Sequence, residues 1–131
     1  MKRLCALLHV LVLVVTLCAC SKTSVDQNAD VTLTFIYQEE NISVTLEENE
    51  ADRVIAILDG KRYVSIFGGI PSCGFRENIS VRVGDRIYAI ARDTCNCVQD
   101  LENLRYITIS IEDMAYIHTL FAKYGGYFPC I

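Results

Sequence analysis

The chain has 131 residues, with 12 basic and 16 acidic side chains, a net charge of −4 and a hydrophobic content of 52%. This length accommodates one domain of ordinary size. An acidic chain without a basic run argues against nucleic acid as a partner, because phosphate binding needs clustered Lys and Arg.

The N-terminus has the features of an export signal. Lys2 and Arg3 form a basic start, and residues 4–16 form an apolar run. A run of this length is too short to cross ~30 Å of hydrocarbon, but it suits the apolar part of a signal peptide. We predict that residues 1–19 are removed, which leaves ten basic and 16 acidic residues and a net charge of −6.

The signal ends in Leu17-Cys18-Ala19-Cys20, which resembles the lipobox of bacterial lipoproteins. The resemblance covers residues 1–20 and implies that Cys20 becomes the acylated N-terminus. It also implies a lipid-anchored protein of the bacterial cell envelope that contacts the membrane through its N-terminal lipid, and Ser21 favours the outer membrane. Two or three acyl chains make a stable anchor. The alternative is an ordinary secretory signal followed by a chance cysteine.

The mature chain divides into a tether and a single domain. Residues 20–30 are predicted to be a lipid-anchored flexible tether, because residues 21–30 (SKTSVDQNAD) are polar and lack periodicity. Ten such residues span about 17 Å, so we expect the domain to stand off the membrane. Residues 31–131 are predicted to form one β-rich domain.

Apolar and polar residues alternate along most of this domain, which is typical of half-buried strands. Asp59-Gly60 and Gly84-Asp85 are predicted turns between strands. The predicted fold is mainly β: a small antiparallel β-sandwich or barrel of about seven strands with one C-terminal α-helix packed on it. The predicted strands cover residues 31–37, 42–47, 53–58, 62–67, 79–83, 86–91 and 105–111.

Two further segments have helical features. Asp113 is a predicted N-cap, Gly125 is predicted to close the helix in the left-handed region, and an apolar stripe between them is expected to pack on the sheet. Residues 95–104 favour a short helix over a loop, with Asn96 as its cap. The acidic residues 47–52 are expected to form a solvated turn. The apolar stripe consists of Met114, Ile117, Leu120, Phe121 and Tyr124.

Four cysteines remain after lipidation of Cys20: Cys73, Cys95, Cys97 and Cys130. An even number in a small exported domain indicates two structural disulfides. A Cys95–Cys97 bridge would close almost no chain, so we predict that Cys73 and Cys130 each bond to one member of that pair. The alternative is that Cys95 and Cys97 form a redox-active dithiol or a metal site.

The two cysteine-terminated loops share a Gly-Gly, Pro, Cys pattern and carry large apolar residues. Rigid aromatic residues on loops held by disulfides suit protein recognition, although these side chains can instead fold inward and close the end of the domain. The candidate protein-binding residues are Ile70, Phe75, Tyr127 and Phe128.

The usual catalytic and phosphate-binding motifs are absent from the sequence. His118 is expected to lie at the boundary of the core, so we predict no enzyme activity, no cofactor and no metal. The leading hypothesis is a non-enzymatic binding or structural module that contacts another envelope protein. The alternatives are an inhibitor of a host hydrolase, and a thiol-redox or metal-binding protein that uses Cys95 and Cys97.

Overall fold

The computed structural model describes residues 21–65, 69 and 71–125. Neither helix in this part of the chain is long and apolar enough to cross a membrane. The elements, in chain order, are β1 (Val31–Tyr37), β2 (Glu40–Thr45), α1 (Glu48–Leu58), β3 (Ser80–Val83), β4 (Arg86–Ile90), β5 (Cys97–Asp100), β6 (Arg105–Thr108) and α2 (Ile111–Gly125).

The strands form one antiparallel sheet in the order β2-β1-β3-β4-β5-β6. The prediction of a mainly β fold with a C-terminal helix is confirmed. The described strands number six rather than about seven, and they lie in one sheet. Of the strand predicted at 62–67, Arg62 and Tyr63 form only isolated bridges, to Lys22 and Ile107, and residues 66 and 67 lie outside the described residues.

One face of the sheet packs against both helices. The register places Leu33 opposite Val81 and Val44, and all three side chains point to the same side. On α2, the stripe residues Met114, Ile117, Leu120 and Phe121 are buried. The Phe121 ring meets the Phe35 ring edge to face, with centroids 6.3 Å apart. The core is therefore a layer of helices on a sheet.

Helix α1 corrects two predictions, the solvated turn at 47–52 and the strand at 53–58. The Glu47 backbone N–H donates to the Glu50 carboxylate, which completes a capping box with Glu in the place usually taken by Ser or Thr. The buried residues Val54, Ile55, Ile57 and Leu58 lie on one helical face. Burial of this face outweighs the strand preference of its β-branched side chains.

The Asp59-Gly60 pair ends α1 instead of joining two strands. The Asp59 N–H donates to the Ile55 carbonyl, and Gly60 has φ of +66°. This left-handed conformation, which Gly adopts freely, is common just after a helix.

A buried carboxylate joins the two helices. Glu50 accepts hydrogen bonds from Lys123 Nζ at 2.7 Å and from the Tyr124 hydroxyl at 2.5 Å. Burial alone would raise the pKa of Glu50, but these hydrogen bonds bring the pKa below its usual value. Glu50 is therefore charged at neutral pH and holds the start of α1 against the end of α2.

Both predicted ends of α2 need correction. The helix begins at Ile111, and the Ser110 hydroxyl accepts the Asp113 N–H, so Ser110 takes the capping role that was assigned to Asp113. Gly125 still belongs to the helix and does not have a positive φ. Glycine is needed at position 125 for packing, because a Cβ there would lie only 2.9 Å from Cε2 of Phe35.

We expect Gly125→Ala to lower the free energy of unfolding by about 1–3 kcal/mol, since the new methyl group would force the buried Phe35 ring to move. Urea denaturation would measure the change. The matched control is Gly74→Ala, because a Cβ at Gly74 has no neighbour within 4 Å. Equal stability of the two variants would show that Phe35 does not require Gly125.

The short helix predicted within residues 95–104 is a strand followed by a turn. Residues Cys97–Asp100 form β5 between β4 and β6, and Leu104 has φ of +52° in the turn. Asn96 does not cap a helix, because its Nδ2 donates to the Ile109 carbonyl at 2.7 Å. Pairing on both sides of β5 explains why this segment is extended despite its helix-like spacing.

The expected flexible tether is also corrected in its first half. Thr23 and Val25 are 3% and 6% exposed. The Thr23 N–H donates to the Lys61 carbonyl at 2.8 Å and its hydroxyl to the Leu58 carbonyl at 2.6 Å. The Val25 N–H donates to the Asp59 carboxylate. Residues 21–25 are therefore part of the folded domain.

Candidate functional site

A disulfide joins Cys73 to Cys95, with their Cα atoms 6.2 Å apart. It ties the segment before β3 to the loop before β5. The Arg92 N–H reinforces this connection by donating to the Gly74 carbonyl at 3.0 Å. The loop that ends at Cys73 is thus bonded to Cys95, as one of the two predicted disulfides requires.

Cys97 is half-buried at the start of β5, and its Sγ lies 3.9 Å from the Thr108 hydroxyl oxygen. It has no disulfide partner within the described residues. Cys130 lies outside them, so the second disulfide stays a prediction. Cys73, Asp93 and Cys95 have their ligand atoms within 4.8 Å of one another, but in this disulfide form neither sulfur is a free thiolate.

The candidate protein-binding loops are only partly visible. Phe75 is half-buried, and its ring lies 5.4 Å from the Tyr106 ring on the face of the sheet opposite the helices. It therefore covers the sheet and does not project as a free anchor. Ile70, Tyr127, Phe128 and the predicted lipid site Cys20 lie outside the described residues.

The same face carries a groove of about 570 Å³, and Arg76, which follows Phe75 in the chain, is one of the residues that line it. Its floor consists of outward-facing side chains of the sheet, and one wall comes from the segment before β3. Thr34, in this floor, lies opposite Ser43 of β2, and their hydroxyl oxygens are 3.3 Å apart. The lining residues are Thr34, Asn41, Arg76, Glu77, Asn78, Ser80, Arg82 and Ile87.

The groove has the chemistry of a site for an acidic, hydroxyl-rich ligand. Among the described residues, neither Arg76 nor Arg82 forms an ion pair within 4 Å. The Ser80 hydroxyl donates to the Glu77 carbonyl at 2.6 Å, and the buried Asn78 Oδ1 has no hydrogen-bond partner in this part of the chain. Two guanidinium groups can bind a carboxylate, while the amide and hydroxyl groups suit ligand hydroxyls.

A second polar cluster, at the β6 end of the core face, centres on Asp100. Its side chain is 0% exposed. It accepts hydrogen bonds from the Tyr63 hydroxyl at 2.5 Å, from Asn103 Nδ2 at 2.8 Å and from two backbone N–H groups. Arg86 lies 3.8 Å away, beyond direct hydrogen bonding.

These contacts set the charge state of the cluster. Burial alone would raise the pKa of Asp100, but the hydrogen bonds from Tyr63 and Asn103 bring it below its usual value. Burial and the hydrogen bond to Asp100 raise the pKa of Tyr63 to about 12. The buried Asp100 carboxylate already accepts hydrogen bonds from neighbouring groups of the protein. We therefore assign this cluster to the stability of the fold and not to ligand binding.

Sequence reasoning missed both polar regions. The groove brings together side chains from β1, β2, β3 and β4, which pair over long sequence distances. A local signal did exist for Asp100, because alternation from Val98 places it on the core face of a strand. The helical interpretation of that segment concealed the signal.

Comparison with protein-family models, characterised proteins and solved structures finds no match for this chain.

Proposed function

We propose that this chain is a lipid-anchored lipoprotein of the bacterial cell envelope, placed in the outer membrane, whose domain is a non-enzymatic binding module. The Leu17-Cys18-Ala19-Cys20 sequence immediately before the folded domain carries the proposal. The disulfide between Cys73 and Cys95 supports it, because such bonds persist in exported proteins and are rare in a reducing cytosol.

The lipid site predicts a specific mass. We expect the mature protein extracted from bacterial membranes to begin at Cys20 and to carry two or three acyl chains. Intact mass spectrometry would detect them. We expect Cys20→Ser to leave the protein without acyl mass and to release it from membranes into the soluble fraction, while Cys97→Ser should stay acylated. An unacylated wild-type protein would overturn the lipoprotein proposal.

The groove is the proposed binding site of the module. The groove carries two arginines and one carboxylate, Glu77, so its own side chains have a net positive charge on a domain whose mature net charge is −6. Arg82 projects from β3 and Arg76 from the segment before it. This arrangement favours a ligand that has both a carboxylate and hydroxyl groups, such as an acidic sugar of an envelope polymer.

We expect glucuronate to shift the backbone amide signals of groove residues in an NMR titration of the mature protein, and glucose to shift them far less. Loss of a charged hydrogen bond costs about 1.5–3 kcal/mol, so Arg82→Ala should weaken glucuronate binding by about tenfold or more. The matched control is Arg62→Ala, since Arg62 is also exposed but lies outside the groove. Equal weakening by both variants would contradict a specific site.

A further inference from the structure

The edge of the domain that carries the N-terminus has the composition of a membrane-contacting surface. Ser21, Lys22 and Thr23 lie beside Lys61, Arg62 and Tyr63, which in turn contact β6. The Ser21 hydroxyl also contacts the Arg105 guanidinium. Cys20 is bonded to Ser21, so their Cα atoms are about 3.8 Å apart, and no spacer separates the lipid site from this edge.

Positive charge flanks this edge on both faces of the sheet. Lys22 and Arg62 are opposite each other in an antiparallel bridge, so their exposed side chains project to the same face. On the other face, the Arg105 guanidinium stacks over the Tyr63 ring at 4.4 Å. Among the described residues, none of these three cations forms an ion pair with a carboxylate.

An exposed apolar side chain completes the surface. Leu104, the neighbour of Arg105, is 72% exposed in the turn between β5 and β6. The same turn also contains Glu102, whose carboxylate forms an ion pair with Arg86 at 3.3 Å. A large apolar residue next to unpaired cations is the pattern that favours the boundary between lipid headgroups and acyl chains.

We infer that the domain docks directly on the bilayer, with Lys22, Arg62 and Arg105 on anionic headgroups and Leu104 at the interface. This inference rests on the proposed lipid anchor at Cys20. It replaces the expectation that a flexible tether holds the domain away from the membrane, because docking fixes the orientation of the domain on the bilayer. The Ser80 and Arg82 side of the groove lies five strand spacings from Ser21, or about 24 Å across the sheet. Docking by this edge therefore leaves the groove free to bind.

The chain contains no Trp, so a single introduced Trp can report contact with lipid. The test uses acylated mature Leu104→Trp protein in vesicles of equal parts phosphatidylcholine and phosphatidylglycerol, with a trace of lipid that carries a nitroxide on its headgroup. The control is Tyr37→Trp, because Tyr37 is 51% exposed where β1 meets β2, at the other side of the sheet. We expect the nitroxide to quench most of the Leu104→Trp emission and little of the control emission.

Charge reversal and flotation separate the docking from the anchor. Adding Lys22→Glu and Arg62→Glu to Leu104→Trp should remove most of the quenching, while the protein still floats with the vesicles. Floating protein in which both Trp positions are unquenched, or equally quenched, would overturn the docking and leave the anchor intact. Protein that fails to float would overturn the anchor and the docking with it.

Discussion

Removal of the Cys73–Cys95 disulfide by the double variant Cys73→Ala/Cys95→Ala should lower the free energy of unfolding by about 3 kcal/mol. The bond joins residues 22 apart in sequence, and the chain-entropy model assigns about that energy to a loop of this length. A small domain has a limited core, so this is a substantial part of its stability. Urea denaturation of the oxidised wild type and the variant would measure the difference.

The slope of the unfolding curve gives an independent check on this mechanism. Without the bond, the unfolded chain is less compact and exposes more surface, so we expect a larger dependence on urea. Reduction with dithiothreitol should bring the wild type down to the stability of the double variant or below it. A loss under about 1 kcal/mol would contradict this mechanism, because it would mean that the bond removes little conformational freedom from the unfolded chain.

The sheet was predictable wherever one strand face is buried and the other is polar. Residues 31–37 alternate clearly because β1 pairs with both β2 and β3 and buries only its helix-facing side chains. The stripe on α2 was predictable for a similar reason, since it has one apolar face. In both cases, local sequence and global packing favour the same structure.

Helix α1 and the groove were not predictable in this way. The apolar face of α1 consists of Val54, Ile55, Ile57 and Leu58, and three of these are β-branched residues that favour strands. The groove depends on the pairing of β1 with β3, which brings Thr34 next to Ser80, 46 positions later in the sequence. Neither the sequence around Thr34 nor the sequence around Ser80 indicates that these two residues are neighbours.

Replacement of Asp100 should have a second large effect on stability. Asp100→Ala would leave the Tyr63 hydroxyl and the Asn103 amide without their shared acceptor in a buried site, and it would remove the carboxylate 3.8 Å from Arg86. Breaking a buried charged network by removing one partner costs about 3 kcal/mol or more. The matched control is Asp52→Ala, since Asp52 is exposed on α1. Urea denaturation at neutral pH would compare the two variants.

The pH dependence of stability tests the charge of Asp100 more specifically. The folded-state pKa of Asp100 lies below its ordinary value, so the unfolded chain binds this proton first as the pH falls. The stabilisation is complete above the unfolded pKa of about 3.9 and is lost as the pH drops through the folded pKa. Asp100→Asn, which keeps the shape and removes the charge, should lose less stability over this acid range than the wild type.

Stability at alkaline pH tests the same hydrogen bond through its donor, the Tyr63 hydroxyl. The pKa of Tyr63 is raised to about 12, whereas an unfolded Tyr ionises near pH 10. Stability is therefore complete below about pH 10 and decreases as the pH rises toward 12, because the unfolded chain releases this proton first. Tyr63→Phe should reduce this alkaline loss. If Asp100→Asn and Tyr63→Phe left both the acid and the alkaline slopes unchanged, the buried pair would not be the charged hydrogen bond that its geometry indicates.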